Sequence, residues 1–316
     1  AFISPTLARA LLTSHEDVVQ VFSLLPSFFT LFSILIGRLR AVPVVLYPQF
    51  LPNRFERHTR LWARVLGKVF DLGVAIHIVH LAQYTIAVTR SEERFYRTNS
   101  VKIVRTIYEP VTMKERPNIE TLNDFRRRFG IDEKELIVLI VGRIEKRKGL
   151  DILVKALPTI LGEIPDTRVL IVGEDWGALQ GCLKLARSSG CLDRLTVTGA
   201  LGEQDLSTAY ALCDVVVIPS YFEAYGRTLV EAWSFCKPPV ISDGVALGEL
   251  VTPHTGLVVE RGSPIALAQA TIRVLRDREW ALKLGRSGKA VVDSTIPDSR
   301  TVVNTLVQVY HEVVPA

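Results

Sequence analysis

Short runs of β-branched and apolar residues recur through the second half of the chain: IVLIV at 137–141, RVLIV at 168–172, LTVT at 195–198, DVVVI at 214–218, PVIS at 239–242 and GLVV at 256–259. Most are separated by amphipathic stretches of helical length. In GLDILVKALPTIL (149–161), Leu150, Leu153, Leu157 and Ile160 fall on one helical face. Strands that alternate with helices predict βαβ units and a parallel sheet covered on both faces. Such sheets bind ligands at the carboxyl ends of their strands, so the loops that follow the runs should carry the function.

The first half alternates less clearly, through DVVQVFS (17–23), PVVLYP (43–48), YTIAVT (84–89) and VKIVR (101–105). The reading is an α/β chain of two Rossmann-like domains, the first over 1–112 and the second over 113–295. The polar, Pro-containing stretch 109–124 is the linker candidate. A last helix within 296–316 follows the breaker Pro297-Asp298 and is expected to cross back to the first domain. That domain is short and opens abruptly at AFISPTLARALL, and Met113 is the lone methionine, so its opening βα units are expected to be missing. Repeats of solenoid period and low-complexity tracts are absent.

Composition narrows the class. Of 316 residues, 48% are hydrophobic and 22% charged, which excludes a disordered or collagen-like chain. Four cysteines sit inside apolar runs with no C-x-x-C pair, and no N-x-[ST] sequon occurs, so a reducing, cytoplasmic setting is expected. The longest apolar stretch, 24–37, is too short to span a bilayer and contains Pro26. The net charge of +5 is unevenly spread: residues 1–105 carry 13 Lys and Arg against 6 Asp and Glu (+7), whereas the remainder carries −2. Different partners for the two halves follow.

Two segments can carry chemistry. In VGRIEKRKGL (141–150), Gly142 lets the backbone turn sharply after a strand, and Arg143 and Lys148 can converge on one anion beside helix amides. The bland alternative is a strand–turn–helix whose basic residues merely solvate a loop. In IPSYFEAYGRTLVEAW (218–233), Gly226 and Thr228 stand where a helix should begin, so amides from Tyr225 to Leu229 could cradle a phosphate. Glu223 and Glu231 flank that turn. A carboxylate does not favour a diphosphate, so both read as acceptors for sugar or ribose hydroxyls. Taken singly, either is as readily an exposed surface residue.

The pair G-R-x4-K-G and E-x7-E, with VGEDWG (172–177) and VTGAL (197–201) between them, resembles the family 4 (group 1) retaining glycosyltransferases of the GT-B fold. The resemblance implies that Arg143 and Lys148 neutralise the diphosphate of a nucleotide-sugar, with Gly142 at the turn. It implies that Glu223 holds the donor sugar and Glu231 the ribose hydroxyls. It places backbone at Tyr225, Gly226 and Arg227, with Thr228 and Leu229 behind them, at the phosphates, and Thr198, Gly199 and Leu201 beside the base. Two departures stand out. FCKPPVIS puts Cys236 where the family often has Gly, and the first-domain region around PVVLYPQF offers Tyr47 and Gln49, with His58 further on, in place of the family's His.

Other signals are weaker. His77 and His80 lack further ligands for a zinc site, and GRSGKA (285–290) lacks the spacing of a phosphate-binding loop. No G-x-G-x-x-G favours an oxidoreductase, and no D-x-D favours a metal-dependent transferase. Arg54, Arg57, Arg60, Arg64 and Lys68 fall within an arc of about 120° on one helix, flanked by Phe55, Trp62, Leu66 and Val69. That stripe is either a solvated face or a surface for anionic lipid or a phosphate-bearing acceptor. The expectation is a metal-independent, retaining hexosyltransferase with Arg143, Lys148 and Glu223 as catalytic residues, a nucleotide-sugar as donor substrate and no other cofactor. Its acceptor is a hydroxyl compound, lipid-linked in one reading, with peripheral contact at the inner membrane face and no nucleic acid partner. The alternatives are a sugar phosphorylase or nucleotide-sugar epimerase on the same fold, or a non-catalytic nucleotide-sugar-binding protein.

Overall fold

The computed structural model describes residues 13, 15–22, 27–49, 62, 65, 69–101, 104–112 and 116–314. The chain divides into two compact units, Ala1–Pro110 with Pro297–Ala316, and Val111–Ile296. The five basic residues of the stripe, Arg54 to Lys68, and His58 lie outside the described residues; of the flanking residues, Trp62 and Val69 are described and both are exposed.

Among the described residues the first unit has four parallel strands in the order β1 (Val19–Phe22), β2 (Val44–Tyr47), β3 (Tyr84–Ala87) and β4 (Val104–Thr106). Parallel neighbours need crossovers, and helices α1 (Ser27–Leu39), α2 (Ile76–Leu81) and α3 (Arg90–Thr98) lie in those connections. Every residue of β2 and β3 is buried, as expected for strands covered on both faces. The Thr89 hydroxyl caps α3 by accepting the Glu92 amide, and Glu92 reaches back to accept the Val88 amide at 2.7 Å. His77 and His80 are both exposed on α2, and His80 Nε2 lies 2.9 Å from the Asn99 carbonyl oxygen.

The second unit opens with α4 (Ile119–Phe129), capped by Asn118 and ended by Gly130 in the left-handed region. Six parallel strands follow: β5 (Leu136–Val141), β6 (Thr167–Val172), β7 (Leu195–Gly199), β8 (Val215–Ile218), β9 (Pro239–Ser242) and β10 (Leu257–Val259). Their order in the sheet is β10-β9-β8-β5-β6-β7. Each coincides within a residue or two with an apolar run of the sequence. Helices α5 (Leu150–Glu163), α6 (Leu179–Ser188), α7 (Glu203–Leu212), α8 (Arg227–Ser234), α9 (Pro264–Arg276) and α10 (Arg278–Thr295) connect and cover them. The core gathers Val138, Ile140, Val169, Ile171, Val215 and Val217 from the sheet with Leu153, Leu157 and Ile160 from α5, the face expected from its periodicity. The chain order steps outward from β5 in both directions, so the sheet has its topological switch between β5 and β8.

GRSGKA lies inside α10. A Cβ on Gly285 would overlap the Cys236 carbonyl oxygen, and one on Gly288 the Trp233 indole, so these glycines let α10 pass close to the end of α8. Cys236, at the position where the family often has Gly, holds φ at +54°. A side chain in that region costs roughly 1 kcal/mol or more. Cys236→Gly is therefore expected to stabilise the second unit by about 0.5–1 kcal/mol, read as a higher urea midpoint at unchanged slope. Its thiol accepts a hydrogen bond from Arg116 at 3.1 Å on the surface, which is too exposed to reverse the sign.

The last helix, α11 (Ser299–Val313), is capped by Asp298 and belongs to the first unit. Tyr310 donates to Gln20 on β1, and Arg105 on β4 pairs with Glu312 at 3.7 Å. Among the described residues no helix is long and apolar enough to cross a membrane.

Candidate functional site

The loops after β5 and β8 meet at the switch point of the second unit. After Val141 the chain turns at Gly142 (φ +133°), runs through Arg143 to Glu145, makes a single 3-10 turn over Lys146–Lys148 and enters α5 at Gly149 (φ +73°). Gly149 is buried, and a Cβ there would overlap the carbonyl oxygen of Pro219 in the β8 loop. The two loops are joined by the Tyr221 amide, which donates to the Arg147 carbonyl at 2.8 Å.

That contact places Lys148 against Glu223. Lys148 Nζ lies 2.6 Å from Glu223 Oε2, and the two side chains are 16% and 17% exposed. The Ser220 hydroxyl donates to the same oxygen at 3.4 Å, and Arg147 Nη1 stands 3.9 Å from Glu223 Oε1. The lysine folds over Gly142: a Cβ built there would touch its Nζ at 3.5 Å. Lys148 thus bridges the two loops as a partly desolvated cation whose partner faces the same crevice.

Arg143 is more open, with 47% of its side chain exposed. Its guanidinium carbon lies 4.5 Å above the Trp176 ring, and Nη2 is 3.4 Å from Glu145 Oε1. Glu145 in turn pairs with Arg147 at 2.9 Å. Three basic side chains, Arg143, Arg147 and Lys148, therefore share two carboxylates, Glu145 and Glu223.

The β8 loop is pinned from its far side. Glu223 N donates to Gly244 O at 2.8 Å, Ala246 N to Glu223 O at 3.0 Å and Leu247 N to Tyr225 O at 3.0 Å. Gly226 (φ +108°) begins α8, where a Cβ would come within 2.7 Å of Val245 Cγ1. No side chain caps α8, so Gly226, Arg227 and Thr228 stand at its N-terminal end. The expected cradle from Tyr225 to Leu229 needs one correction. The Leu229 amide already donates to the Gly226 carbonyl at 2.9 Å and its side chain is fully buried, because the helix has closed its first turn there. Tyr225 is also buried, and its carbonyl is taken by the Leu247 amide.

Glu231, one turn into α8, is 9% exposed. Tyr210 on α7 donates to its Oε2 at 2.6 Å, and Arg227 Nε is 4.0 Å from its Oε1. Burial pushes the Tyr210 phenol well above the usual tyrosine range, and the neighbouring Glu231 carboxylate pushes it further. The phenol is therefore a permanent donor that fixes one carboxylate oxygen and leaves the other on the Arg227 side. At the end of β7, Thr198 and Leu201 are half-buried and Gly199 turns with φ +73°. The Gly199 carbonyl accepts the Gly173 amide at 2.9 Å, linking this end to the loop after β6.

The structure brings Lys148 and Glu223 into direct contact and places Gly142, Arg143 and Gly226 around them. Glu231 sits behind Arg227 in a separate pair, and the Thr198–Leu201 stretch lies two strands away from β5. The sequence reading missed Trp176, Arg147, Ser220 and Tyr210. Trp176, Arg147 and Ser220 sat inside motifs already recognised and could have been found there. Tyr210 meets Glu231 across 21 residues with no local signal.

A parallel sheet with basic and acidic side chains gathered at its switch point, paired in one chain with a second α/β unit, defines a GT-B type of architecture. The sequence profile of the family described as "Glycosyl transferases group 1" matches residues 123–291, just over half of the chain, and the chain belongs to that family. It is 31% identical over 173 residues to D-inositol 3-phosphate glycosyltransferase of Segniliparus rotundus, covering 52% of this chain and 38% of that protein. It is also 31% identical over 186 residues to a GDP-mannose-dependent alpha-(1-6)-phosphatidylinositol monomannoside mannosyltransferase of Mycobacterium tuberculosis, covering 56% of this chain and 48% of that one. The chain thus spans about half or less of the length of these two relatives. Sucrose-phosphate synthase from Thermosynechococcus elongatus has a similar structure, with TM-score 0.77, 25% identity and coverage of 98% of this chain and 76% of that one. HepE of Anabaena, solved with UDP and glucose, shares the fold at TM-score 0.82 and 18% identity, covering 98% and 82%.

Proposed function

We propose that the chain transfers a sugar from a nucleotide-sugar to a hydroxyl acceptor with retention of configuration and without a metal ion. The observation that carries this reading is the Lys148–Glu223 pair at 2.6 Å across the switch-point crevice. It sets a partly buried cation, suited to a diphosphate, beside a carboxylate suited to a sugar hydroxyl, both at the uncapped start of α8. Membership of the group 1 family and the donor named for the mycobacterial relative support the nucleotide-sugar class.

In this reading the donor lies on residues 113–295 and the acceptor meets residues 1–112. Arg143, Lys148 and the α8 amides from Tyr225 to Thr228 hold the diphosphate, while Glu223 takes the sugar and Glu231 the ribose hydroxyls. Gly142, Thr198, Gly199 and Leu201 line the rest of the nucleotide, and Leu229 supports the turn from beneath. As the bond from the sugar's anomeric carbon to the phosphate oxygen breaks, its electron pair passes to the diphosphate. The cations stabilise that charge as it develops. The acceptor oxygen attacks the same face and its proton passes to a phosphate oxygen of the leaving group. EDTA is expected to leave turnover unchanged. Turnover abolished by EDTA and restored by Mg²⁺ would contradict the metal-independent step.

The two glutamates should separate by role. Glu231→Ala is expected to weaken UDP or GDP binding, since it removes a carboxylate already oriented by Tyr210; loss of one charged hydrogen bond amounts to about 1.5–3 kcal/mol. Glu223→Gln should leave the bare nucleotide bound at least as tightly, because Lys148 is released from its internal partner, and should lower turnover with the full donor. Calorimetry and a transfer assay read the two effects. Loss of bare-nucleotide binding in Glu223→Gln equal to that in Glu231→Ala would overturn the assignment.

A further inference from the structure

Trp176 is a large apolar side chain left 56% exposed at the rim of the site, and the loop that carries it is hydrogen-bonded at both ends. Ile144 N donates to Glu174 O at 2.8 Å and Trp176 N to Ile144 O at 3.0 Å, a short parallel bridge that zips the β6 loop to the β5 loop beside Arg143. Asp175 Oδ1 accepts the amides of Gly177, Ala178 and Leu179 at 2.9–3.1 Å, anchoring the far end of the loop to the start of α6. Gly173 allows the close approach, since a Cβ there would overlap the Gly142 carbonyl oxygen. The indole itself is oriented by Nε1, which donates to Glu174 Oε2 at 3.1 Å.

On this fixed ring lies the Arg143 guanidinium, 4.5 Å from the centroid. A guanidinium lying over a ring face can still offer in-plane N–H groups to a phosphate, so the two contacts are compatible. Glu145, at 3.4 Å from Nη2, touches only one corner of that edge. An arginine half-exposed on a loop would otherwise lose several rotors' worth of freedom on binding a ligand.

We propose that Trp176 is a positioning residue for diphosphate recognition: its indole face holds the Arg143 guanidinium in place above the end of β5, with the N–H edge left for the ligand. The inference rests on the reading of Arg143 as a diphosphate ligand. It is tested with UDP and GDP as probes by calorimetry on wild type, Trp176→Ala, Trp176→Phe, Arg143→Ala and the Arg143/Trp176 double alanine variant. Trp176→Ala is expected to weaken the diphosphate about threefold to tenfold, and Trp176→Phe to stay within about twofold of wild type. The double variant is expected to bind no more weakly than Arg143→Ala alone, because the ring acts only through the arginine. Uridine and guanosine, which lack phosphates, should bind Trp176→Ala as they bind wild type.

Each contrary result has a distinct meaning. If Arg143→Ala weakens binding and Trp176→Ala adds its full loss on top, the inference fails and the diphosphate reading stands. An equal loss for the phosphate-free nucleosides would likewise overturn it, because the indole would then touch the nucleoside. Unchanged affinity in Arg143→Ala overturns the diphosphate reading and the inference together. Thermal unfolding of Trp176→Phe and Trp176→Ala, both at an exposed position, checks that the comparisons are made on folded protein.

Discussion

Replacing Lys148 by Ala is expected to reduce nucleoside diphosphate affinity about ten- to a hundredfold and to lower stability as well, whereas Arg143→Ala should affect affinity alone. Each variant removes one charge-assisted contact to the diphosphate, which in comparable settings amounts to about 1.5–3 kcal/mol. The difference lies in what is left behind. Without Lys148, the Glu223 carboxylate, 17% exposed, keeps only Arg147 at 3.9 Å and the Ser220 hydroxyl at 3.4 Å. Stranding a largely buried carboxylate is expected to lower unfolding stability by about 1–3 kcal/mol. Arg143 is half-exposed and its partners Trp176 and Glu145 are both solvated or otherwise paired, so its loss should stay within about 0.5 kcal/mol. Calorimetric titration with UDP and GDP, alongside urea unfolding, separates the two signatures. Undiminished affinity in both variants would remove the diphosphate from this crevice.

Gly149→Ala is the backbone counterpart and should be at least as damaging. The residue is buried at φ +73°, closes the 3-10 turn that carries Lys148, and opens α5. Its added Cβ would overlap the Pro219 carbonyl oxygen, a backbone atom that cannot swing aside as a side-chain tip can. Left-handed strain and overpacking together are expected to destabilise the second unit by about 2–5 kcal/mol. Separation of the β5 and β8 loops would also break the Tyr221–Arg147 backbone bond and pull Lys148 from Glu223, so nucleotide binding should fall even where the protein remains folded. Gly130→Ala supplies the control. Gly130 has a similar φ of +62° at the end of α4 but nothing within 4 Å of its would-be Cβ, so it should lose only about 1 kcal/mol and leave binding intact. Equal effects of the two substitutions in urea unfolding and titration would show that the loop contact is not what makes Gly149 necessary.

Much of the architecture is decided locally. The ten described strands fall on the runs read from the sequence, most plainly the central β2, β3, β5, β8 and β9, because strands buried on both faces must be almost continuously apolar. The face of α5 that enters the core is the one marked by Leu150, Leu153, Leu157 and Ile160, for the corresponding reason of helical period. Gly142 and Gly226 announce turns after strands, and both adopt positive φ. Even the departure at Cys236 is legible, as a side chain placed where the backbone turns left-handed.

What only the tertiary structure decided is how the candidate residues are paired. Sheet order cannot be read from runs of similar composition, and it is the order β8-β5-β6 that sets Lys148 beside Glu223, 75 residues on, and Arg143 over Trp176 on the next strand's loop. Local sequence also gave no sign that Glu231 would be held by Tyr210, or that the Leu229 amide would be spent inside the first turn of α8. The physical reason is common to these cases. Period and propensity are properties of neighbours along the chain, whereas a charge finds its partner by proximity in space, and proximity here is set by which strand the sheet places next.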